Sequence, residues 1–425
     1  MIKVCDAIMG TGKSQAVINF MNSNPSKKFI YISPYLNEAT RIRDSCPELH
    51  FKEPSKTNPQ YHFSKSIHTM HLIAHGENIA TTHQAFKFYT SDMLSTIKEQ
   101  NYTLIIDENI GAIEKFKFSH SDLEMAVRAG YIAEELGGYK INQKVSHDSA
   151  FYGMFRLLES RQLLKAGSPQ INDETNKEKL LFWSLPPDLI TVFRDVYILT
   201  YMFNGQGLQN LLKMHNMEYQ YIGVEKSPSG EYSFSDTHCH IPSYLIHLDQ
   251  MINILDKERL NEIGSGYHNL SMNWFKKPSS DIKRLQNNIL NCFRNIWKEY
   301  PHQSRMWSTY KDAKYSLKGR GYTKNFVAFN ARATNEFRDR TALAYCANLF
   351  VNTGEKLFYR SHGIIVDDDA YALSVLIQWI WRSAIRDGKP IQLYLPSRRM
   401  RSLLTGWIDS TVKLAQSHDR IVLPN

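Results

Sequence analysis

Short apolar runs alternating with stretches of helical period set the rhythm of the first two hundred residues. "MIKVCDAIM" predicts a strand, and "KSQAVINFMNS" after a glycine-rich loop predicts a helix. "KKFIYISPY" with "LNEATRIRDSC" repeats that pair, and "NIATTHQAFKFY" and "YTLIIDEN" continue it. Buried strands alternating with helices predict an α/β domain built on a parallel sheet. From about 114 to 190 the rhythm breaks. That stretch is polar, helical in period and punctuated by "LGGYK" and "AGSPQINDETNKEK", which predicts a helical insertion. "RDVYILTYMFNGQGLQNLL" then returns to strand, loop and helix. A boundary is expected near 205, giving a first domain of 1–205 and a second of 206–425. The second half is again α/β, ending in the strand "PIQLYLP". Its most regular segment is "VDDDAYALSVLIQWIWRSAIRDG", a predicted helix capped by Asp367–Asp369 and ended by Gly388. Gln378, Arg382 and Arg386 fall at i, i+4 and i+8, on roughly one face of it.

Composition narrows this picture only slightly. A chain of 425 residues with 42% hydrophobic and 22% charged positions is an ordinary folded protein with room for two cores. No apolar run approaches about 18 residues, so no membrane span is expected, and no cleavable leader pattern opens the chain. Five scattered cysteines without a C-x-x-C pair read as reduced thiols, hence a cytoplasmic protein. The net charge of +9 fits a polyanionic partner, although a merely basic protein has the same balance. "THCHIP" places Cys239 between two histidines, but with no second ligand cluster a turn or strand is favoured over a metal site.

The candidate chemistry begins at residue 7. Ala7–Ser14 fits the phosphate-loop pattern G-x-x-x-x-G-K-[ST] except at its first position. The later glycines, Gly10 and Gly12, flank Thr11 and supply the close backbone approach. Their N–H groups would form an anion nest at the helix start. Lys13 would reach the β- and γ-phosphates of ATP and Ser14 would hold Mg²⁺. "YTLIIDEN" supplies the acidic partner: Asp107 would hold the metal through its water shell, and Glu108 would orient or deprotonate the attacking water. A glutamate directly after the metal-binding aspartate favours hydrolysis over a nucleotide kinase. The stripe of Gln378, Arg382 and Arg386 needs an anionic partner, met either by a γ-phosphate in the manner of an arginine finger or by nearby acids.

These segments resemble the superfamily 2 helicases, in particular phage- or prophage-encoded DEAD/DEAH-like proteins, with motifs in order along nearly the whole chain. "AIMGTGKS" looks like motif I, "IYISPYLNEA" like Ia with Ser33 at the loop, and "ATTHQAF" like Ib with Thr82 and His83. "IIDEN" takes the DEAD-box position, and "ILTYM" resembles motif III, with Thr200 where hydrolysis is coupled to movement. "MWSTY" looks like IV, "NARATNEFRDR" like V with Thr334 and Asn335 facing the nucleotide or strand, and "QWIWRSAIR" like VI. The family separates its two motif VI arginines by two residues; here three intervene, leaving open which is the finger. The resemblance implies two RecA-like parallel-sheet domains, ATP and Mg²⁺ as cofactors, and single-stranded or partly duplex nucleic acid as partner. It further implies DNA as the strand, replication proteins as associates, a monomer, and a phage-infected or lysogenic host. With six residues before Ala7, no upstream glutamine segment is available to read adenine, so base recognition is expected to be loose.

A strand groove is expected between Trp274 and Phe326, where cations interleave with Trp297, Trp307, Tyr310, Tyr315 and Tyr322. Lys311, Lys314, Lys318 and Arg320 are its candidate contacts, and "SRRMR" (Ser397–Arg401) is a second candidate. Helical spacing of Leu285, Ile289 and Phe293 equally predicts that part of this stretch is core. The expected function is an ATP-dependent translocase or helicase. The alternatives are a remodeller or loader that hydrolyses ATP without unwinding and, less favoured, a packaging ATPase.

Overall fold

The computed structural model describes residues 1–57, 59–135, 137–146, 148–166, 180–277, 279–329, 331, 335–417 and 420–422. Thr334 and the side chain of Asn335 lie outside that set. The first strands are β1 (Ile2–Asp6), β2 (Phe29–Ser33), β3 (Ile79–Thr82) and β4 (Thr103–Asp107). Next come β5 (Ile113–Lys115), β6 (Ile132–Glu135), β7 (Gly138–Ile141), β8 (Gln162–Ala166) and β9 (Leu180–Ser184). The chain then forms β10 (Asp195–Thr200), β11 (Gln220–Lys226), β12 (Tyr232–Ser235) and β13 (His238–His240). It ends with β14 (Ile252–Ile254), β15 (Arg305–Ser308), β16 (Ala342–Tyr345), β17 (Ile391–Tyr394) and β18 (Arg420–Val422).

Among the described residues, the first sheet has seven strands in the order β12-β11-β1-β10-β4-β2-β3. All its pairings are parallel except β11 with β12. The alternation within each strand divides the residues between two cores. Ile30, Ile32, Leu104, Ile106 and Ile198 face one, while Phe29, Tyr31, Ile105, Tyr197 and Leu199 face the other, beneath the helix Lys13–Asn22. Burial on both faces is why β2 and β4 read as continuous apolar runs. Because β11 and β12 add to β1, this sheet runs past the expected boundary at 205 to Ser235.

The insertion differs from the expectation of helices alone. It holds the helices His120–Arg128 and Tyr152–Leu158, but its frame is an antiparallel sheet of five strands in the order β5-β9-β8-β7-β6. β6 and β7 pair as an antiparallel hairpin, with Gly137 before β7 at φ +87°. A Cβ on the next residue, Gly138, would meet the Leu163 carbonyl at 2.3 Å. The insertion has its own small core of Phe116, Leu123, Met154, Phe155, Leu163 and Trp183.

The second unit is a four-stranded parallel sheet, β14-β17-β16-β15. One face packs Leu343, Tyr345 and Leu393 on the helices Asp368–Ile380 and Arg398–Ser417; the other packs Ala344 and Tyr394 on Ser280–Asn291. The fold is therefore α/β with parallel-strand sheets in both units. Trp297, Trp307, Tyr310 and Tyr322 are buried and belong to these cores, so of the expected strand-stacking rings Tyr315 alone stands well exposed. Among the described residues, no helix is long and apolar enough to cross a membrane.

Candidate functional site

Strand order decides where the polar groups meet. β10 lies between β1 and β4, with Asp6 registered beside Thr200 and Leu199 beside Asp107. The loops leaving these three strands therefore share one carboxyl edge, the position where parallel sheets bind ligands. The Ala7 amide donates to the Thr200 carbonyl at 3.1 Å and the Glu108 amide to the Leu199 carbonyl at 2.9 Å, which ties the three loops together.

The loop after β1 is held in an unusual backbone shape. Gly10 and Gly12 have φ +91° and +93°, the left-handed region that favours glycine. A Cβ on Gly12 would also lie 2.3 Å from the Tyr232 ring, so glycine is required there for packing as well as for backbone shape. Buried Thr11 donates its hydroxyl to the Ile8 carbonyl at 2.9 Å, pinning the turn. Lys13 Nζ donates to the carbonyl of Ala7 and, at 3.1 Å, to that of Ile8. Burial pushes its ammonium below the ordinary value, against the pull of Cys5 and Asp6. Ser14 opens the helix and lines the cleft.

Asp107 ends β4 and accepts a hydrogen bond from the Tyr31 hydroxyl. Burial pushes its carboxyl up. Glu108 has φ +63°, strained for a residue with a Cβ and typical of groups held in place for a task. It opens onto the cleft and is accessible to water there. Protein on both sides of the cleft still strips solvent from it, and with Asp107's charge this pushes the carboxyl up to about 7.

The second unit supplies the opposite wall. Asp367 caps the helix Asp368–Ile380 as expected, accepting from the amides of Asp369 and Ala370 at 3.0 and 2.9 Å. Asp368 pairs with Lys356 and Asp369 with Arg399, so the acidic triplet is occupied in capping and ion pairs. The helix ends at Ile380, earlier than predicted. Arg382 lies in the turn that follows and Arg386 in the short 3₁₀ segment Ala384–Asp387, so the one-face spacing does not apply. The end of the helix and the turn after it nevertheless bring Gln378, Arg382 and Arg386 to one cavity of about 680 Å³, shared with Lys13, Asp107 and Glu108. Arg382 donates to the Phe329 carbonyl at 3.3 Å, and its buried Nε has no hydrogen-bond partner among the described residues. Burial pushes its guanidinium below the ordinary value, while Glu108 opposes that shift.

The donor set fits a magnesium-bound triphosphate. Two adjacent carboxyls raised by burial share one wall with Lys13 and face two arginines across the cleft, and a dication beside Ser14 and Asp107 would relieve the acids. Other expected contacts are placed less favourably. Ser33 is fully buried and donates to the Tyr35 carbonyl; His83 is buried. Thr82 caps the short helix His83–Phe86 through the Ala85 amide. A nucleic-acid strand would thus find little of the Ser33 or His83 side chain. Lys311, Lys318 and Arg320 are exposed, and Lys314 lies over the Phe326 ring at 4.6 Å. In "SRRMR", Arg399 is a core residue bonded to Asn348 and Leu349, not a surface cation.

Several site residues were not anticipated. Asp6 accepts from the amides of Met202 and Phe203 at 2.7 and 3.0 Å and so fixes the loop after β10. A charge closing an apolar strand just before the loop was the available signal. Tyr31 was hidden in an apolar run, although it pairs with Ile105, two residues before Asp107 and hence on the same face. Glu38 and Arg41 pair at 2.7 Å on the cleft wall. Tyr244, whose hydroxyl donates to the Met9 carbonyl and accepts from Trp381 Nε1, links the two units; no sequence pattern marks it.

Fold and cleft together define a protein of two parallel-strand α/β units whose polar site lies at the carboxyl edge of the first sheet and is closed by the second. The chain belongs to the YonV family. It is 37% identical over 413 residues to SPbeta prophage-derived uncharacterized protein YonV of Bacillus subtilis (strain 168), spanning 96% of this chain and 99% of that one. The family model for the YonV C-terminal Rossmann-like domain matches residues 246–408, which take in β14 to β17. Similar solved structures include XPD_APO, with TM-score 0.49 and 10% identity over 95% of each chain. The S. tokodaii Xpd4 structure has TM-score 0.45 and 10% identity, covering 96% of this chain and 94% of its own.

Proposed function

We propose that this chain is a nucleic-acid-dependent ATPase of helicase type, a translocase that couples hydrolysis to movement on a strand. The observation that carries the reading is the single cleft shared by Lys13, Ser14, Asp107 and Glu108 on one side and Gln378, Arg382 and Arg386 on the other. The turn around Gly10 and Gly12 binds the phosphate chain through its amides, and Lys13 leaves its carbonyl partners to reach the terminal phosphates. Ser14 and Asp107 hold Mg²⁺, which when bound screens phosphate charge. Glu108 orients the attacking water and takes its proton, and Arg382 stabilises charge on the leaving oxygens, with Arg386 as the outer arginine. The reading extends to DNA as the strand and to phage replication or recombination. Those finer statements rest on the motif resemblance and on the prophage origin of the relative.

A remodeller that hydrolyses ATP without unwinding is the second reading. The apolar seam between the units favours it, because Ile8 is part of the second unit's core. ATPase rates with and without single-stranded DNA, for wild type and Lys13→Ala, test the proposal. Stimulation by DNA that is lost in the variant is expected; a rate indifferent to DNA rejects it. Strand displacement on partial duplexes separates the two readings.

A further inference from the structure

The root of the insertion gathers cations and an aromatic ring that the nucleotide cleft does not use. Lys87 and Arg161 are buried, and both bond to Glu114 on β5, at 3.0 and 3.1 Å. One carboxylate is thus divided between two cations. Arg161 Nε is buried without a hydrogen-bond partner among the described residues. The Arg161 guanidinium lies 5.2 Å from the centroid of the half-buried Phe88 ring, and that of Arg156 lies 5.4 Å from the same ring. Arg156, on the helix Tyr152–Leu158, is exposed and makes no ion pair among the described residues. A guanidinium stacked on a ring keeps its in-plane N–H groups free for an anion. The cluster also touches the hydrolytic loop, since a Cβ on Gly111 would sit 3.2 Å from Lys87 Nζ, three residues beyond Glu108.

We propose that this cluster is a binding site for the backbone of single-stranded nucleic acid. Arg156, supported by the incompletely neutralised Arg161, takes a phosphodiester, and Phe88 offers its edge or remaining face to the adjacent base. A strand held here draws on Lys87 and so reaches Gly111 and the Glu108 loop, a direct route from strand binding to faster hydrolysis. The inference deepens the proposed function and rests on it. A buried salt-bridge set that only anchors the insertion would need Glu114, Lys87 and Arg161; it gives no role to an exposed Arg156 over the Phe88 ring.

The test is fluorescence anisotropy of a labelled 20-nucleotide oligo-dT and of an abasic 20-mer, over a range of salt, using the full chain. Arg156→Ala, an exposed position whose fold is checked by circular dichroism, is expected to weaken oligo-dT binding about 3- to 10-fold. It should also lower the slope of log affinity against log salt by about 0.7. Phe88→Leu should weaken oligo-dT binding more than it weakens binding of the abasic strand. Arg128→Ala removes one charge from another exposed part of the insertion, where Arg128 lies 3.9 Å from Glu124, and should leave both strands unaffected. Wild-type affinity in Arg156→Ala, or an equal loss in Arg128→Ala, overturns the site while leaving the ATPase reading intact. A wild-type chain that hydrolyses ATP but binds neither strand rejects both.

Discussion

Glu355 offers a test of the architecture that does not depend on any activity. It lies in the first turn of the helix Thr353–Ser361, where the insertion, the first unit and the second unit meet. Phe358 and Tyr359 of this helix pack on Phe182 of β9, and the Tyr359 hydroxyl donates to the Gly207 carbonyl. Burial pushes the Glu355 carboxyl from 4.5 up to about 7; burial, and after it the Glu355 charge, raises the phenols of Tyr359 and Tyr371. At about 1.4 kcal/mol per pH unit, the ionised form costs the fold at most about 3.4 kcal/mol. The favourable helix N-terminus returns up to about 1 kcal/mol, and partial solvent access lowers the figure further. A net of about 1–2 kcal/mol remains. Glu355→Gln keeps the shape and removes the charge. Because the folded state holds the proton more tightly than the unfolded chain, wild type loses stability as pH rises from 4.5 to 7. The variant's advantage should therefore be complete above pH 7, mostly gone by pH 5 and absent below 4.5. Melting temperatures of both proteins between pH 4.5 and 8.5, without nucleotide, measure it as a rise of a few degrees at the alkaline end. An advantage independent of pH, or a less stable variant at pH 8.5, refutes the burial argument and the three-way junction behind it.

Two site variants follow from the geometry. Arg382→Ala should lower kcat about a thousandfold with little change in KM, and Arg382→Lys should not rescue it, because lysine lacks the planar fork. Arg386→Ala, at an exposed position, should cost less; steady-state kinetics that leave Arg382→Ala at the wild-type kcat would remove it from the finger role. Gly12→Ala should abolish binding of a fluorescent ATP analogue, since the new Cβ meets the Tyr232 ring at 2.3 Å and φ stays at +93°. Gly12→Ala with Tyr232→Ala removes the clash but not the backbone strain, so titration should show at most partial recovery.

The sequence was most informative where local pattern and tertiary burial agree. Phe29–Ile32 of β2 and Leu104–Ile106 of β4 form unbroken apolar runs because both faces of the sheet are covered, so they needed no partner to be recognised. The loop at Gly10 to Ser14 and the acids after Ile106 were legible for a similar reason, since backbone shape and charge there are fixed by adjacent residues. Legibility failed where long-range pairing decides. β6 and β7 are four residues each, and each finds its partners across a hairpin or in a distant strand, so a polar stretch with some helical period concealed a sheet. Arg382 reaches the cleft because the chain turns after Ile380, with the Ser383 hydroxyl donating to the Ile380 carbonyl. Helical spacing grouped three residues that do line one cavity, for a reason that does not operate. The tryptophans and tyrosines of the second unit were ambiguous for the opposite cause, because a ring that stacks on a base and a ring that fills a core look the same in sequence.

The two units meet through the same segments that would read the nucleotide, which constrains how a motor of this design could work. Ile8, two residues before Gly10, is buried in the core of the second unit, and Met9, Tyr201 and Met202 pack against it. The Trp407 indole donates to the Tyr201 hydroxyl at 2.7 Å, and a Cβ on Gly205 would meet the Ala370 backbone at 2.6 Å. Opening the cleft must therefore expose an isoleucine, worth about 1.5–3 kcal/mol, and break a part-buried hydrogen bond worth about 1 kcal/mol. Both costs fall within the roughly 8 kcal/mol available from a micromolar ligand that prefers one state. The seam is strong enough to hold the units together and weak enough for nucleotide to shift, and any such shift would begin in the phosphate loop itself.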